Sequence, residues 1–172
     1  RSFAPKVGSP EFEQRLDALT GSQQRLGNSY YLLLDGKESF ATRNELIENA
    51  TDSIYLQTFI FNDDETGWNL ARLLSKRAQE GLDVRVIYDG IGSLPSEKGL
   101  FDYMAKNGVQ VLEHGFGLEE FWDVNDRWHE KHLIVDQQVS IEGGMNIGNE
   151  YAFGGSGRMV LSRSTNPEEP WR

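Results

Sequence analysis

Strand-like and helix-like segments alternate along this chain, and no other feature limits its possible folds as strongly. The strand-like segments are short, apolar and rich in β-branched or aromatic residues, and they occupy 30–34, 53–61, 84–88 and 109–112. Between them, apolar residues recur at helical spacing, and Ser39 is a suitable N-cap for the first helix. Such alternation is typical of βαβ units. We therefore expect an α/β fold with a mixed, mostly parallel sheet flanked by helices on both faces.

The 172 residues suit a single domain, and neither an internal repeat nor a domain boundary is evident. We expect residues 1–29 to form a polar lead-in segment and residues 30–172 to form the domain. The chain starts at Arg1 and stops at Arg172. We expect the domain to be truncated at its C-terminus, after a tail from Gly154 that is rich in glycine, serine and proline.

Composition excludes some classes of site and disfavours some partners. The chain has no cysteine, so it can form neither a disulfide nor a cysteine–zinc site. Its formal net charge of −10 weighs against broad adsorption to nucleic acid or anionic lipid. A local basic pocket that binds one phosphate remains compatible with this charge.

The segment 129–147 predicts two strands around a turn, with polar residues at defined spacing. In a strand, His129 and Lys131 project from the same face, whereas His132 and Asp136 point to the other. A two-residue turn at 137–138 would place His129 opposite Asn146 and Lys131 opposite the residue at 144.

That pairing surrounds a position without a side chain, Gly144, with an imidazole, an ammonium and a carboxamide. Lysine supplies charge, asparagine supplies amide donors, and glycine admits a bulky group, so the pattern predicts a phosphate site. Asp136 has the wrong parity for this face, and we expect it to support the end of the strand.

Four stretches of this sequence resemble the phospholipase D superfamily. The pattern His129-x-Lys131-x4-Asp136 is similar to its HKD motif, and Gly143-Gly144-x-Asn146 follows at the distance typical of that family. The runs 56–67, 84–93 and 141–151 resemble bacterial cardiolipin synthases in particular. The resemblance covers roughly residues 30–151 and matches the N-terminal of two HKD halves.

The resemblance implies a phosphatidyl transfer through a covalent phosphohistidine at His129, without a metal or cofactor. Lys131 and Asn146 would neutralise charge on the phosphoryl oxygens, with Gly143 and Gly144 in support. The expected substrate is a phospholipid such as phosphatidylglycerol, at peripheral contact with the cytoplasmic face of the bacterial inner membrane. Alternatives are a hydrolytic phosphodiesterase (a phospholipase or a nuclease) and a non-catalytic half that completes or regulates a partner's site.

The sequence departs from the family pattern at two points. Only one H-x-K occurs, so a second HKD half must come from a missing C-terminal part or from a homodimer. The family also orients its histidine with a downstream carboxylate, for which Glu142 and Glu150 are the candidates here. The acidic balance of the chain disfavours nucleic acid as a partner.

Other polar clusters favour structural interpretations. The histidines His114, His129 and His132 are disfavoured as a metal site, because the last two diverge on a strand. The acidic run 63–65 indicates a helix-capping loop, and 89–93 indicates a strand-to-loop turn near the cleft. Two interpretations stay open for the aromatic residues of 116–128: they contact lipid, or they cover the core.

Overall fold

A computed structural model gives the structure of this protein, and it describes residues 5–22, 27–94, 96, 98–115, 128–154 and 158–164. The described helices are α1 Pro10–Thr20, α2 Gly36–Glu48, α3 Glu65–Gln79, α4 Lys98–Lys106 and α5 Asn149–Ala152. The described strands are β1 Asn28–Leu33, β2 Ser53–Thr58, β3 Asp83–Asp89, β4 Gln110–His114, β5 His132–Val135, β6 Val139–Gly143 and β7 Met159–Ser164.

The seven described strands form one sheet in the order β1-β7-β6-β5-β2-β3-β4. The α/β class with a mixed sheet is confirmed. Strand β3 is parallel to both β2 and β4, but the four pairings from β1 to β2 across the sheet are antiparallel. The prediction of a mostly parallel sheet is therefore wrong. The periodicity found the βαβ half of the sheet, whereas the antiparallel half depends on pairings between distant segments.

Helices α2, α3, α4 and α5 contact one another and form one layer. The connections β1-α2-β2, β2-α3-β3 and β3-α4-β4 all step across the sheet in the same direction. Right-handed crossovers that never reverse direction leave their helices on a single face. In the described part of the chain, the expectation of helices on both faces therefore holds for one face only, since α1 has no buried residue.

The core lies between this helix layer and the facing side of the sheet. Ile54 and Leu56 of β2, Val86 of β3 and Leu133 of β5 are all almost fully buried there. Alternate positions such as Tyr55 and Ile87 are only half-buried, as expected for the opposite side of a pleated sheet. Among the described residues, no helix combines the length and hydropathy needed to cross a membrane.

Two local expectations need correction. Helix α2 begins at Gly36, because Asp35 is its N-cap and accepts a hydrogen bond of 2.8 Å from the Glu38 amide. Ser39 therefore lies inside the helix rather than at its cap. Strand β7 was not predicted, yet it fills the position between β1 and β6 and aligns Met159 with Gly143.

The acidic loop before α3 has the capping role that the sequence predicts. Asp64 accepts hydrogen bonds from the Gly67 amide at 2.9 Å and from the Asn149 amide at 2.7 Å. Asp63 accepts a hydrogen bond from the indole of Trp68. Asp64 therefore caps α3 and connects it to α5, while Asp63 holds the Trp68 side chain of the same helix.

Candidate phosphoryl-transfer site

The candidate site lies at the carboxyl ends of β2, β3 and β4. Strand β5 is antiparallel to β2, so the segment that enters β5 passes the residues that leave β2. His129 and Lys131 belong to the entering segment, and Phe59 follows directly after β2. The sheet thus brings the two halves of the site together from positions about seventy residues apart in sequence.

The hairpin after this segment differs in register from the prediction. The paired residues are Val135 and Val139, which leaves three residues in the turn instead of two. Asp136 and Gln137 have φ of 52° and 55°, and the Gln138 amide donates to the Val135 carbonyl at 3.0 Å. The two left-handed residues close the turn, and the inclusion of Asp136 in it shifts the register by one.

Because of this shift, Lys131 faces Gly143 rather than Gly144, and the Gly143 amide donates to the Lys131 carbonyl at 3.4 Å. Gly143 has φ of 151°, and a Cβ atom there would lie 2.2 Å from the Arg158 carbonyl oxygen. Gly143 therefore admits the chain that enters β7, instead of the phosphate that the sequence argument placed at Gly144. Gly144 itself is exposed, and its amide donates to the same Arg158 oxygen at 2.9 Å.

His129 and Lys131 meet on one aromatic ring. The centroids of the Phe59 and His129 rings are 4.8 Å apart at 58°. The Lys131 Nζ atom lies 5.3 Å from the centroid of the same Phe59 ring and donates to the His129 carbonyl at 2.7 Å. Strand β5 begins only at His132, so this ring, and not a shared strand face, brings the two side chains together.

Lys131 is held in a largely apolar setting. It is 3% exposed, while His129 is exposed. Burial lowers the pKa of Lys131 below its ordinary value, because desolvation penalises the charged ammonium. One of the three ammonium donors serves the His129 carbonyl, which leaves two for another acceptor.

Asn146 is buried and fixed from two sides. Its Oδ1 atom accepts a hydrogen bond of 3.1 Å from the Ile60 amide, and its Nδ2 atom donates to the Tyr151 hydroxyl at 2.8 Å. Ile60 follows Phe59 directly, so one short segment holds both the His129–Lys131 pair and Asn146. One hydrogen of the Asn146 amide group remains for another acceptor.

The sequence profile of the family described as "Cardiolipin synthase, PLD-like domain" matches residues 44–153, which is more than half of the chain. The chain belongs to this family of phospholipase D-like domains. Cardiolipin synthase from Listeria monocytogenes serotype 4a (strain HCC23) is 40% identical over 142 residues, which cover 81% of this chain and 29% of that protein. The domain thus spans about three tenths of the length of such relatives.

Solved structures share the fold of this phospholipase D-like domain. Nuc from Salmonella typhimurium, a phospholipase D family member, superposes with a TM-score of 0.62 at 17% identity, covering 80% of this chain and 84% of that one. Phosphatidylserine synthase from Haemophilus influenzae Rd KW20 gives a TM-score of 0.61 at 18% identity, covering 78% of this chain and 33% of that one.

The aspartate of the motif lies at the opposite end of β5 from His129. The Asp136 carboxylate accepts hydrogen bonds of 2.8–3.1 Å from the amides of Thr51, Asp52 and Ser53 and from the Thr51 hydroxyl. Partial burial acts to raise the pKa of Asp136, but these hydrogen bonds outweigh it and lower the pKa below its ordinary value. Asp136 anchors the hairpin turn to the loop before β2.

Neither carboxylate considered as a partner for His129 contacts its ring in this phospholipase D-like domain. Glu142 lies 3.9 Å from His132, and both Glu150 oxygens accept from the Asn62 side chain. His132 lies between Glu142 and Glu130 on the side of the sheet away from the helices. In this domain, both carboxylates therefore interact with residues other than His129.

The remaining histidine joins an aromatic pair beside the site. His114 stacks on Trp128, with centroids 4.3 Å apart at 20°. Within the described ranges, no three histidine or acidic side chains are grouped to hold a metal ion. The aromatic residues Phe116, Phe121 and Trp122 lie outside the described residues.

Sequence reasoning missed two residues that organise this site, Phe59 and Tyr151. Both lie in blocks that resemble the family, but nothing in the pattern assigned them a contact. Their roles depend on distances across the sheet: Phe59 reaches His129, and Tyr151 reaches back to Asn146 from α5. The available signal was that both are aromatic residues within the matching blocks.

Proposed function

We propose that this domain is one half of a phosphatidyltransferase of the cardiolipin synthase type, with His129 as the nucleophile. The observation that carries the proposal is the assembly of His129, Lys131 and Asn146 around the consecutive residues Phe59 and Ile60. The relatives named cardiolipin synthase support the choice of reaction.

The proposed reaction has two balanced steps. An imidazole nitrogen of His129 forms a bond to phosphorus while the bond from phosphorus to the leaving alcohol oxygen breaks, and that oxygen takes a proton from a second histidine. An incoming lipid alcohol then gives its proton to that second histidine and attacks phosphorus. The phosphorus–nitrogen bond breaks, and the product is a new phosphodiester.

Lys131 and Asn146 have the chemistry to stabilise the phosphoryl oxygens as charge develops. Each keeps at least one hydrogen-bond donor beyond those used within the fold. Donors fixed before the reaction stabilise a transition state more effectively than donors that must reorganise. Gly144 is exposed at the start of the segment that carries Asn146, where close approach of a ligand is sterically possible.

The second histidine defines the partner that the proposal requires. It comes from a second HKD half, supplied either by another part of the same protein or by a homodimer. The phospholipid substrate, for instance phosphatidylglycerol, places the reaction at a membrane surface. We propose peripheral contact with the cytoplasmic side of the bacterial inner membrane.

The competing activity is hydrolysis by the same intermediate, with water as the acceptor. A nuclease is the other hydrolytic alternative, but the net charge of −10 disfavours a polyanionic substrate. A non-catalytic half is disfavoured by the intact set of His129, Lys131 and Asn146. These alternatives differ in their products.

The test is to incubate the complete protein with phosphatidylglycerol vesicles and to quantify cardiolipin, glycerol and phosphatidic acid. We expect cardiolipin and glycerol in equal amounts, unchanged by EDTA. Phosphatidic acid alone would indicate hydrolysis, and no lipid turnover would contradict the proposal. His129→Gln should reduce turnover on the order of 10⁴-fold or more, while the matched variant His132→Gln, on the other side of the sheet, should retain it.

A further inference from the structure

We propose that Phe59 is a positioning residue that fixes His129 and Lys131 relative to each other, and that the loop Asp89–Ser93 holds Phe59 in place. This inference rests on the proposed function of His129 and extends it to residues that do not touch the substrate. It also assigns a role to the glycine-containing loop after β3, which the reaction itself does not use.

His129 needs a support outside the sheet. His129 lies before the first paired residue of β5 and is exposed, so the sheet does not fix its side chain. The Phe59 ring, tilted at 58° and 4.8 Å away, is the ring that packs on the imidazole. An aromatic pair in this geometry is attractive beyond the effect of its buried area, which favours one rotamer of His129.

The Phe59 ring also holds Lys131. The Lys131 Nζ atom lies 5.3 Å from the ring centroid, within the range of a cation–π contact. The ring therefore stabilises the ammonium in a setting where burial opposes its charge. The hydrogen bond from Lys131 to the His129 carbonyl completes a closed set of three contacts among three residues.

The loop Asp89–Ser93 packs against Phe59 through Gly92. A Cβ atom on Gly92 would lie 2.3 Å from the Phe59 carbonyl oxygen and 3.0 Å from its ring atom Cε2. The loop packs this closely because the Asp89 carboxylate accepts from the amides of Ile91 at 3.0 Å and Gly92 at 2.8 Å. The absence of a side chain at Gly92 thus allows the loop to support both the backbone and the ring of Phe59.

Ser93 extends the same support to the rest of the segment after β2. It is buried, and its hydroxyl donates to the Phe59 carbonyl at 3.4 Å and accepts from the Phe61 amide at 3.0 Å. The segment that carries Phe59 and Ile60 is therefore fixed at its backbone as well as at its ring. A displacement of this loop would move His129 and Lys131 through Phe59.

The experiment compares Phe59→Leu with Phe59→Tyr in the complete protein. Misplacement of reacting groups by about 1 Å costs on the order of 100-fold in rate. We expect Phe59→Leu to lower kcat for lipid transfer about 10- to 100-fold with KM changed less than about 3-fold, and Phe59→Tyr to restore most of the rate. Phe153→Leu is the matched control, because Phe153 is 77% exposed and outside the site.

A second pair of variants tests the loop. Gly92→Ala should reproduce the loss of kcat, because its methyl group would displace Phe59. Gly99→Ala is the control, since a Cβ atom at Gly99 meets nothing within 4 Å. Full activity of Gly92→Ala would overturn the role of the loop.

A spectroscopic measurement separates this inference from the proposed function. The His129 ring protons should carry a ring-current shift that disappears in Phe59→Leu and persists in Phe59→Tyr. If the wild-type protein transfers no lipid, the proposed function fails, and the NMR comparison still decides whether Phe59 positions His129. Unchanged His129 resonances in Phe59→Leu, or unchanged kcat in that variant, would overturn the inference.

Discussion

Asp136→Asn should destabilise the fold while leaving the chemistry of the site in place. The carboxylate accepts from three amides and one hydroxyl at the far end of β5 from His129. Asparagine tolerates the left-handed backbone at this position, where φ is 52°. The substitution therefore removes one acceptor oxygen and the charge with little added backbone strain.

The size of this loss of stability depends on which hydrogen-bond donors to Asp136 are accessible to water. A hydrogen bond to a charged acceptor contributes about 1.5–3 kcal/mol. Thr51 is exposed, so water replaces the lost oxygen there, whereas Asp52 and the buried Ser53 keep an oxygen acceptor that has lost its charge. A hydrogen bond to a neutral acceptor contributes only about 0.5–1.5 kcal/mol. We therefore expect a loss of about 2–3 kcal/mol in the free energy of unfolding, or about 4–12 °C in Tm for a domain of this size.

The effect should depend on pH with a defined sign. The pKa of Asp136 is lower in the folded state than its ordinary value. Its stabilisation is therefore complete above the unfolded-state pKa of about 3.9 and is lost as the pH falls through the lower folded-state value. The difference between wild type and variant should be constant at about pH 5 to 7 and should shrink below about pH 4.

Urea unfolding followed by circular dichroism at several pH values measures this difference. Asp102→Asn, at an exposed carboxylate on α4, is the matched control and should change stability little. Below its Tm, the Asp136→Asn variant should keep lipid transfer within about 3-fold. A variant as stable as wild type, a difference that grows on acidification, or a large loss of activity at unchanged Tm would refute the reasoning.

Three further substitutions test other parts of the account. Tyr151→Phe removes the acceptor that holds Asn146 and should lower kcat about 3- to 30-fold at nearly unchanged Tm, as measured by the lipid assay. Gly36→Ala should cost about 1–3 kcal/mol in urea unfolding, since its Cβ atom would overlap the Tyr151 carbonyl oxygen. Arg43→Met should leave the free energy of unfolding unchanged or raise it in the same assay. Arg43 is only 2% exposed, and its Nε and Nη1 atoms find no hydrogen-bond partner among the described residues. Burial also lowers the pKa of Arg43 to about 10, because it opposes the charge. Equal stability of Gly36→Ala, or a loss above about 2 kcal/mol in Arg43→Met, would contradict these expectations.

The sequence predicted the part of the fold that depends on local pattern. Short apolar runs rich in β-branched or aromatic residues located β2 and β3, and helical spacing located α3, to within a few residues. Strand β7 was not predicted, because a short apolar patch in a polar tail becomes a strand only when β1 and β6 flank it. The placement of the helices on one face of the sheet could not be predicted either, since helix periodicity does not reveal which face of the sheet a helix covers.

In the candidate site too, local pattern could be predicted from the sequence, and contacts between distant segments could not. The alternation from Lys131 to Val135 could be inferred from strand geometry, and the buried positions follow it. The hairpin register could not be inferred in this way. Its two consecutive left-handed residues are Asp136 and Gln137, whereas glycine or asparagine usually signals such a turn. That single shift moved Gly144 away from Lys131, and only the three-dimensional packing revealed Phe59.

The central claim is that His129 becomes covalently attached to phosphorus during turnover. Rapid quenching of the complete protein with phosphatidylglycerol, followed by digestion and mass spectrometry, tests it directly. We expect a phosphatidyl adduct on the peptide that contains His129, formed and consumed at rates compatible with turnover and absent in His129→Gln. Turnover by wild-type protein without this adduct, or an adduct on another histidine such as His132, would contradict it.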